Sequence, residues 1–316
     1  QGYGSRIRET KTAGATEQRQ AMAISKPQKP PLYRVLAAVG ALLLVATIPS
    51  WLIAARLIAA NPRQIGEPPA DLPATAIALA SKSGSSIAGW HIQAAETRGV
   101  IVLLHPIRGS RLTMLRRART LHAAGYAIVM IDLQAHGESS GAKITLGHLE
   151  KHDARAAVAY ARAQHPGEPI AVLGVSLGGA AALLASPLEV DALVLESVFP
   201  SIEQAVHNRV ASRLGWASAL PAEILLLLLQ PHLGLTPPQL RPIAAMDGIG
   251  CPVFVLSGSA DTHTTPAEAK QMFDAAQAPA EFWLVEGAAH EDLFDAAPAE
   301  YRKRVLAFFE RHMAAQ

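Results

Sequence analysis

Residues 170–180 constrain the fold most, because a short apolar run stops at a sharp turn and an Ala/Leu-rich helix begins directly after it. Gly174, Ser176 and Gly178 occupy this turn at Gly-x-Ser-x-Gly spacing. A serine on so tight a turn has strained backbone, and glycines two residues to either side remove Cβ atoms that would clash. Free N–H groups at the start of the helix favour an anion. The stretch therefore predicts a nucleophilic serine presented between a buried strand and a helix.

Strands and helices alternate on both sides of this turn. Such alternation is typical of parallel strands joined by crossover helices. A predicted hairpin over 74–80 and 86–94 precedes the alternation. The other predicted strands lie at 99–105, 126–133, 170–175, 191–196, 251–257 and 281–285, and the helices at 111–124, 149–164, 267–276 and 298–312. The sequence thus predicts an α/β fold around a mostly parallel sheet.

The segment 200–247 interrupts this alternation. It is long, lies between two predicted strands and contains six consecutive apolar residues, 224–229. Such a run cannot place every side chain on one face of a helix. We interpret the segment as an inserted helical cap, in which the run either lines a substrate site or forms buried core.

A serine nucleophile needs a base, and the base needs a group that orients it. In folds with this kind of turn the chain order is serine, acid, histidine. Asp261 directly follows the predicted strand 251–257, and His290 follows the strand 281–285. Strand ends are where an open α/β sheet gathers its site. We therefore predict that Ser176, Asp261 and His290 form a catalytic triad, with Glu196 as the rival acid; Asp261 as a helix cap and His290 as a surface residue are the alternatives.

An oxyanion hole requires two backbone N–H donors. Leu177, which follows the nucleophile, is expected to supply one. The loop after the strand 99–105 is expected to supply the other, and there Pro106 has no N–H group. Ile107 is therefore the predicted second donor. The alternative is that this loop is an ordinary surface loop and supplies no donor.

Composition excludes several classes of function. The net charge of +2 gives no argument for nucleic-acid binding. Cys251 is the only cysteine, so an intrachain disulfide and a cysteine-based metal site are both impossible. Asp132 and His136 follow one strand and resemble a metal pair, but no further ligands cluster nearby. We expect them to brace the loop beside the turn, and we expect no metal site.

The N-terminal part differs from the rest. Residues 1–34 carry seven of the 28 Lys and Arg residues and predict a disordered basic tail. Residues 35–55 have no charge and as a helix would span roughly 30 Å, the thickness of a bilayer core. We predict a transmembrane anchor over 35–60, with a cleaved signal peptide and a buried core helix as alternatives. Residues 61–73 hold four prolines and are expected to be a linker before a catalytic domain over 74–316.

Four motifs together resemble the α/β-hydrolase superfamily. They are the turn at Ser176, the segment Asp132–Ser139, Gly258-x-x-Asp261 and Gly287-x-x-His290. The chain is most similar to the serine-aminopeptidase-like branch of esterases and thioesterases, over residues 74–199 and 248–315. The resemblance implies an eight-stranded sheet, a Ser-Asp-His triad and no cofactor. Pro106 departs from the pattern, which usually has glycine after the histidine.

The combined expectation is a membrane-anchored serine hydrolase that cleaves an ester or thioester. An uncharged segment that is long enough to span a bilayer and is preceded by basic residues predicts that the catalytic domain lies outside the cytoplasm. The expected partners are an acyl or small-molecule substrate and, through residues 35–55, a lipid bilayer. A peptidase of the same family and a non-catalytic binding protein on the same fold are the alternatives.

Overall fold

The computed structural model describes residues 31–290 and 293–313; within helix α1, the side chains of residues 35 and 38–46 are also outside the description. The predicted basic tail therefore lies almost entirely outside the described residues. The chain divides into two compact units, the first ending at Thr47 and the second beginning at Ile48. Helix α1 covers Leu32–Leu57, and its C-terminal part belongs to the second unit.

The second unit is built on an eight-stranded sheet, as the resemblance implies. The strands are β1 (Ala74–Ala80), β2 (Ser86–Ile92), β3 (Val100–Leu104), β4 (Ala127–Ile131), β5 (Ile170–Val175), β6 (Ala192–Glu196), β7 (Val253–Gly258) and β8 (Ala280–Val285). Their order in the sheet is β8-β7-β6-β5-β3-β4-β2-β1. The predicted hairpin is present, since β1 and β2 pair in antiparallel fashion; β2 also runs antiparallel to β4, and every other pair is parallel.

Helices cover both faces of this sheet. Side chains alternate along a strand, so Val102 and Leu104 of β3 join one core while Ile101 and Leu103 join the other. The helices that cover the sheet are α2 (Leu115–Ala123), α3 (Glu150–Gln164), α4 (Leu177–Leu184), α8 (Pro266–Asp274), α9 (Leu293–Ala296) and α10 (Pro298–His312). Helices α3, α4 and α8 pack on the first face, and α2, α9 and α10 on the second.

The segment between β6 and β7, which we call the cap (residues 200–247), is largely helical. Ser201 begins its first helix by accepting a hydrogen bond from the Gln204 backbone N–H. The six apolar residues 224–229 do not all face the same side: Leu226 and Leu229 are buried, whereas Leu227 is 75% exposed. The helices of the cap are α5 (Ile202–Leu214), α6 (Ala219–Leu227) and α7 (Leu229–Leu233), with short 3₁₀ turns between and after them.

Two other segments differ from their predicted form. The helix expected over 111–124 begins with a 3₁₀ turn, Arg111–Met114, before α2. The proline-rich segment 61–73 is tied to the body of the second unit. Asn61–Pro62 pairs with His136–Gly137, and the N–H groups of Ile65 and Gly66 donate to Glu138. Because proline removes only its own N–H group, the neighbouring donors remain free to make these bonds.

The predicted membrane anchor falls on α1. Among the residues that the structure describes in full, no helix is both long enough and apolar enough to cross a membrane. Residues 38–46, the centre of the predicted anchor, are outside that set of fully described residues.

Candidate active site

Ser176 lies at the turn between β5 and α4, in the conformation that the sequence pattern requires. Its φ of 48° is in the left-handed region, which non-glycine residues rarely adopt, and its side chain is only 2% exposed. The backbone is held there because Ser176 N–H donates to the Glu196 carbonyl oxygen at 2.8 Å. A Cβ atom at Gly174 would overlap Gly179, and one at Gly178 would overlap the Leu104 backbone. Close packing therefore requires both glycines.

Asp261 and His290 lie at the ends of neighbouring strands β7 and β8. Asp261 Oδ2 and His290 Nδ1 are 2.8 Å apart, and the aspartate is buried. Asp261 Oδ1 accepts the N–H groups of His263 and Thr264 at 2.8 and 2.9 Å. Burial raises the pKa of Asp261, but the hydrogen bond from His290 and these N–H groups outweigh it and lower the pKa overall. The aspartate is thus an anion that fixes the imidazole with its Nδ1–H toward the carboxylate.

The other ring nitrogen of His290, Nε2, makes no hydrogen bond to a described residue and can take part in a proton transfer. The structure records no hydrogen bond from Ser176 Oγ to any described residue, and the residues that line the cavity at Ser176 include neither His290 nor Asp261. Bonds between nucleophile and base are often long in the absence of substrate and shorten when substrate binds. The acid and the base of the predicted triad are therefore in contact, whereas the pairing of Ser176 with His290 stays a prediction.

The two predicted oxyanion donors lie beside Ser176. Ile107 and Leu177 both line the cavity into which Ser176 opens. Neither amide donates to a backbone acceptor within the described part of the chain. Their role as oxyanion donors stays a prediction.

Two buried histidines hold the loop that carries Ile107. His105 accepts the Leu133 N–H at 2.9 Å through Nε2 and donates through Nδ1–H to the Pro106 carbonyl at 2.8 Å. Burial, with a smaller effect of His136, lowers the pKa of His105 to about 3, so the ring is neutral. His136 Nε2 in turn accepts the Arg108 N–H at 3.1 Å. These bonds fix the loop even though Pro106 replaces the glycine that the resemblance leads one to expect.

Asp132 and Glu196 have other partners. Asp132 accepts the Arg111 N–H and guanidinium at 2.7 and 2.8 Å, which braces the same loop. Glu196 is buried against the Arg117 guanidinium, with contacts of 2.6 and 3.0 Å, and also against Tyr301. Within the described ranges, no three His, Cys, Asp or Glu residues are grouped so that they could hold a metal ion. The rival acid Glu196 is therefore engaged in a buried ion pair with Arg117.

Ser176 opens into a cavity of about 320 Å³, which we call the Ser176 cavity. The cap provides one wall with Leu225, Leu228, Leu229 and Leu233. Leu226, by contrast, belongs to the core beneath the cap. The apolar run of the cap is thus partly lining of the cavity and partly core.

The opposite wall was not predicted from the sequence. Ala54, Leu57 and Ile58, at the end of α1 and just beyond it, line the Ser176 cavity. The Trp51 ring lies 4.1 Å from the His232 ring of α7, centroid to centroid, so this end of α1 packs against the cap. The only sequence signal was that the apolar run continues past residue 55, which a membrane anchor explains equally well.

Arg209 and Arg213 of α5 also line the Ser176 cavity and were not predicted from the sequence. They are separated by four residues and so lie on one face of the helix. Basic residues on a cap helix give no signal in a sequence, because most of them face solvent.

The fold and the site define a class. The sheet order, the strained serine after β5 and the Asp–His pair after β7 and β8 are those of the α/β-hydrolase fold. The family model described as serine aminopeptidase, S33, matches residues 95–235.

The chain is also similar to particular proteins. The chain is 23% identical to the uncharacterized protein YqkD of Bacillus subtilis, over 75% of this chain and 79% of that protein. It is 28% identical to the uncharacterized protein Rv2307c of Mycobacterium tuberculosis, over 68% of this chain and 72% of that protein. Among solved structures, the Pyrococcus furiosus esterase PF2001 superposes with a TM-score of 0.67 at 21% identity, covering 81% of this chain and 98% of that one. At that identity the superposition establishes the fold.

Proposed function

We propose that the protein is a serine hydrolase that cleaves a carboxylic ester or thioester through an acyl-enzyme on Ser176. The observation that carries this proposal is the 2.8 Å contact between Asp261 and His290, on loops that follow the same sheet as the strained Ser176. A base held by a buried carboxylate activates a serine hydroxyl.

The steps follow from the positions of these groups. His290 Nε2 takes the Ser176 proton as Oγ attacks the acyl carbon, and the Ile107 and Leu177 N–H groups bind the oxyanion that forms. His290 then gives its proton to the departing alcohol or thiol, leaving the acyl group on Ser176. Water then loses a proton to the same imidazole and attacks the acyl carbon. The bond from the acyl carbon to Ser176 Oγ breaks, His290 returns the proton to Oγ, and the carboxylic acid leaves. Asp261 stays ionised and stabilises the imidazolium in both halves.

A fluorophosphonate probe and a substrate screen test the proposal. The wild-type protein should form one covalent adduct, on Ser176, and should hydrolyse a series of 4-nitrophenyl esters and acyl thioesters from acetyl to dodecanoyl. Aminoacyl-4-nitroanilides test the peptidase alternative, since the matched family model carries an aminopeptidase description. An aminopeptidase needs a carboxylate for the substrate amine, and the described residues that line the Ser176 cavity include no acidic side chain. Turnover of anilides but not esters would contradict the ester proposal, and no labelling at all would favour a non-catalytic protein.

The cap leucines are proposed to set the preferred acyl length. Leu225 and Leu228 line the Ser176 cavity, and burial of each acyl methylene is worth about 0.8 kcal/mol. Leu225→Ser with Leu228→Ser should therefore lower kcat/KM for octanoyl esters about 10-fold or more while leaving acetyl esters within about twofold.

Two neighbouring leucines provide controls for this prediction. Leu227→Ser changes an exposed side chain and should leave the chain-length profile unchanged. Leu226→Ser introduces a hydroxyl into the core and should lower the melting temperature and all rates together. The same uniform loss in the Leu225/Leu228 variant would show that those leucines are core as well.

We also propose that residues 35–55 anchor the enzyme in a bilayer, with the catalytic unit outside the cytoplasm. This rests on the uncharged run and the basic residues before it. The full chain should stay in the membrane fraction through an alkaline carbonate wash, and protease added to sealed cells should reach the catalytic unit. A soluble form that begins near residue 61 would mean a cleaved signal peptide instead.

A further inference from the structure

The charged residues of the Ser176 cavity are all basic. Its described lining contains the three arginines Arg108, Arg209 and Arg213 and no aspartate or glutamate. The rest of the lining is nearly all apolar, so the local charge is positive in surroundings that solvate charge poorly. Such a cavity favours a ligand that carries both an apolar chain and an anion.

Arg108 already has a structural role. Its guanidinium donates to the carbonyl oxygens of Arg56 and of Leu57, the latter at 3.2 Å, at the C-terminal end of α1. A cation at that end of a helix satisfies free carbonyl groups and the helix dipole. The Arg108 guanidinium therefore holds the end of α1 in the cavity wall and is already occupied by these carbonyl groups, which makes it less available to a ligand than Arg209 and Arg213.

Arg209 and Arg213 lack an acidic partner in the described part of the chain, where no carboxylate lies within 4 Å of either guanidinium. The Arg209 side chain makes one weak bond, to the Ala205 carbonyl at 3.4 Å. The nearby carboxylate of Glu268 accepts two bonds from Asn208, at 2.7 and 2.8 Å. Asp261 is bound to His290. Burial lowers the pKa of Arg209, with Asp261 opposing that effect, so the half-buried guanidinium gains from an added anion.

The position of Arg209 indicates which part of the substrate carries the anion. Asn208, its neighbour on α5, donates to the His263 carbonyl at 3.2 Å, and the His263 ring lies 5.0 Å from the His290 ring. The basic end of α5 is thus next to the loops of the acid and the base. Since His290 protonates the leaving oxygen or sulfur, the leaving group must lie on the His290 side of the acyl carbon.

We infer that the substrate is an acyl ester or thioester whose alcohol or thiol part carries an anionic group, a phosphate or a carboxylate, bound by Arg209 with Arg213 at the rim. The acyl chain then lies against the apolar residues that precede them on α5, Ile202, Ala205 and Val206. Ala205 and Arg209 are separated by about 6 Å along the helix axis, so both ends fit one small substrate. This inference rests on the proposed hydrolase activity.

Three octanoyl esters that differ only at the far end of the phenol test it. The leaving groups are 4-hydroxybenzamide, 4-hydroxybenzoate and 4-hydroxyphenyl phosphate, which are neutral, carboxylate and phosphate. Arg209→Gln should lower kcat/KM for at least one anionic ester about 10- to 100-fold, as expected for the loss of a charge-assisted hydrogen bond. The neutral ester should stay within about twofold. Because each ratio compares one ester between two enzymes, the intrinsic reactivity of the ester cancels.

Further variants separate the alternatives. Arg209→Lys should recover part of the loss, and Arg241→Gln, an exposed cap arginine outside the cavity lining, should change none of the three rates. The anionic ester with the larger dependence on Arg209 identifies the anion. Equal losses on all three esters would overturn the inference and show that Arg209 acts through Asp261. If the wild-type enzyme hydrolysed the esters and Arg209→Gln had no effect, the inference about the anionic group would be overturned and the hydrolase proposal would stand. If there were neither turnover nor labelling of Ser176, both the inference and the hydrolase proposal would be overturned.

Discussion

Ser176→Ala should reduce ester turnover by about 10⁵-fold or more and should abolish fluorophosphonate labelling. The loss is large because without Oγ no acyl-enzyme forms, and only the oxyanion donors and substrate binding remain to accelerate hydrolysis. The removed hydroxyl has no hydrogen bond to a described residue, so the fold should keep its stability. Steady-state kinetics, intact-protein mass spectrometry after labelling and thermal unfolding measure these three results.

Ser197 offers a matched control for this variant. It also follows a strand of the same sheet, has a φ of 49° and is buried, yet it does not line the Ser176 cavity. Ser197→Ala should therefore leave labelling intact and keep most of the turnover. Labelling of Ser176→Ala at the wild-type rate would exclude Ser176 as the nucleophile.

Asp261→Asn should lower kcat by about 10⁴-fold with little change in stability, as in other triads where the amide holds the imidazole in the wrong tautomer. Glu196→Gln should have a much smaller effect on kcat. It should instead lower the melting temperature, because it removes the carboxylate charge that pairs with the buried Arg117 guanidinium.

The two variants answer different questions about the same sheet. Parallel measurement of kcat and thermal unfolding for both distinguishes the acid that orients His290 from the acid that holds α2 to the sheet. If Glu196→Gln removed activity and Asp261→Asn did not, the assignment of the orienting acid would be reversed.

The parts of the fold that the sequence predicts are those fixed by local patterns. The strand Ala74–Ala80 and the helix Pro298–His312 have the bounds that alternation and an N-terminal proline predict. The positions of Asp261 and His290 at strand ends also predict that they meet, since neighbouring parallel strands end at one edge of a sheet. The proximity of Asp261 and His290 therefore follows once their two strands are neighbours in the sheet.

The walls of the Ser176 cavity depend on contacts between residues far apart in the chain. Nothing local to Leu57 indicates that it faces the cap, and the bond from the Arg108 side chain that holds this end of α1 joins segments about 50 residues apart. The inward direction of Arg209 depends on how α5 is rotated against the sheet. Periodicity gives the apolar face of a helix, but it does not show which polar residue at the edge of that face turns toward a cavity.

The end of α1 has a practical consequence for producing the enzyme. A natural way to obtain a soluble form of a protein with an apolar N-terminal segment is to start the polypeptide after that segment. Here a start after Ile58 would remove Ala54, Leu57 and Ile58 from the cavity lining and leave the Arg108 guanidinium without its two carbonyl partners. The shortened enzyme would retain Ser176, Asp261 and His290 but present a cavity open on one side. Its substrate profile would therefore describe the truncation and not the native protein, so a soluble form should begin no later than Ile48.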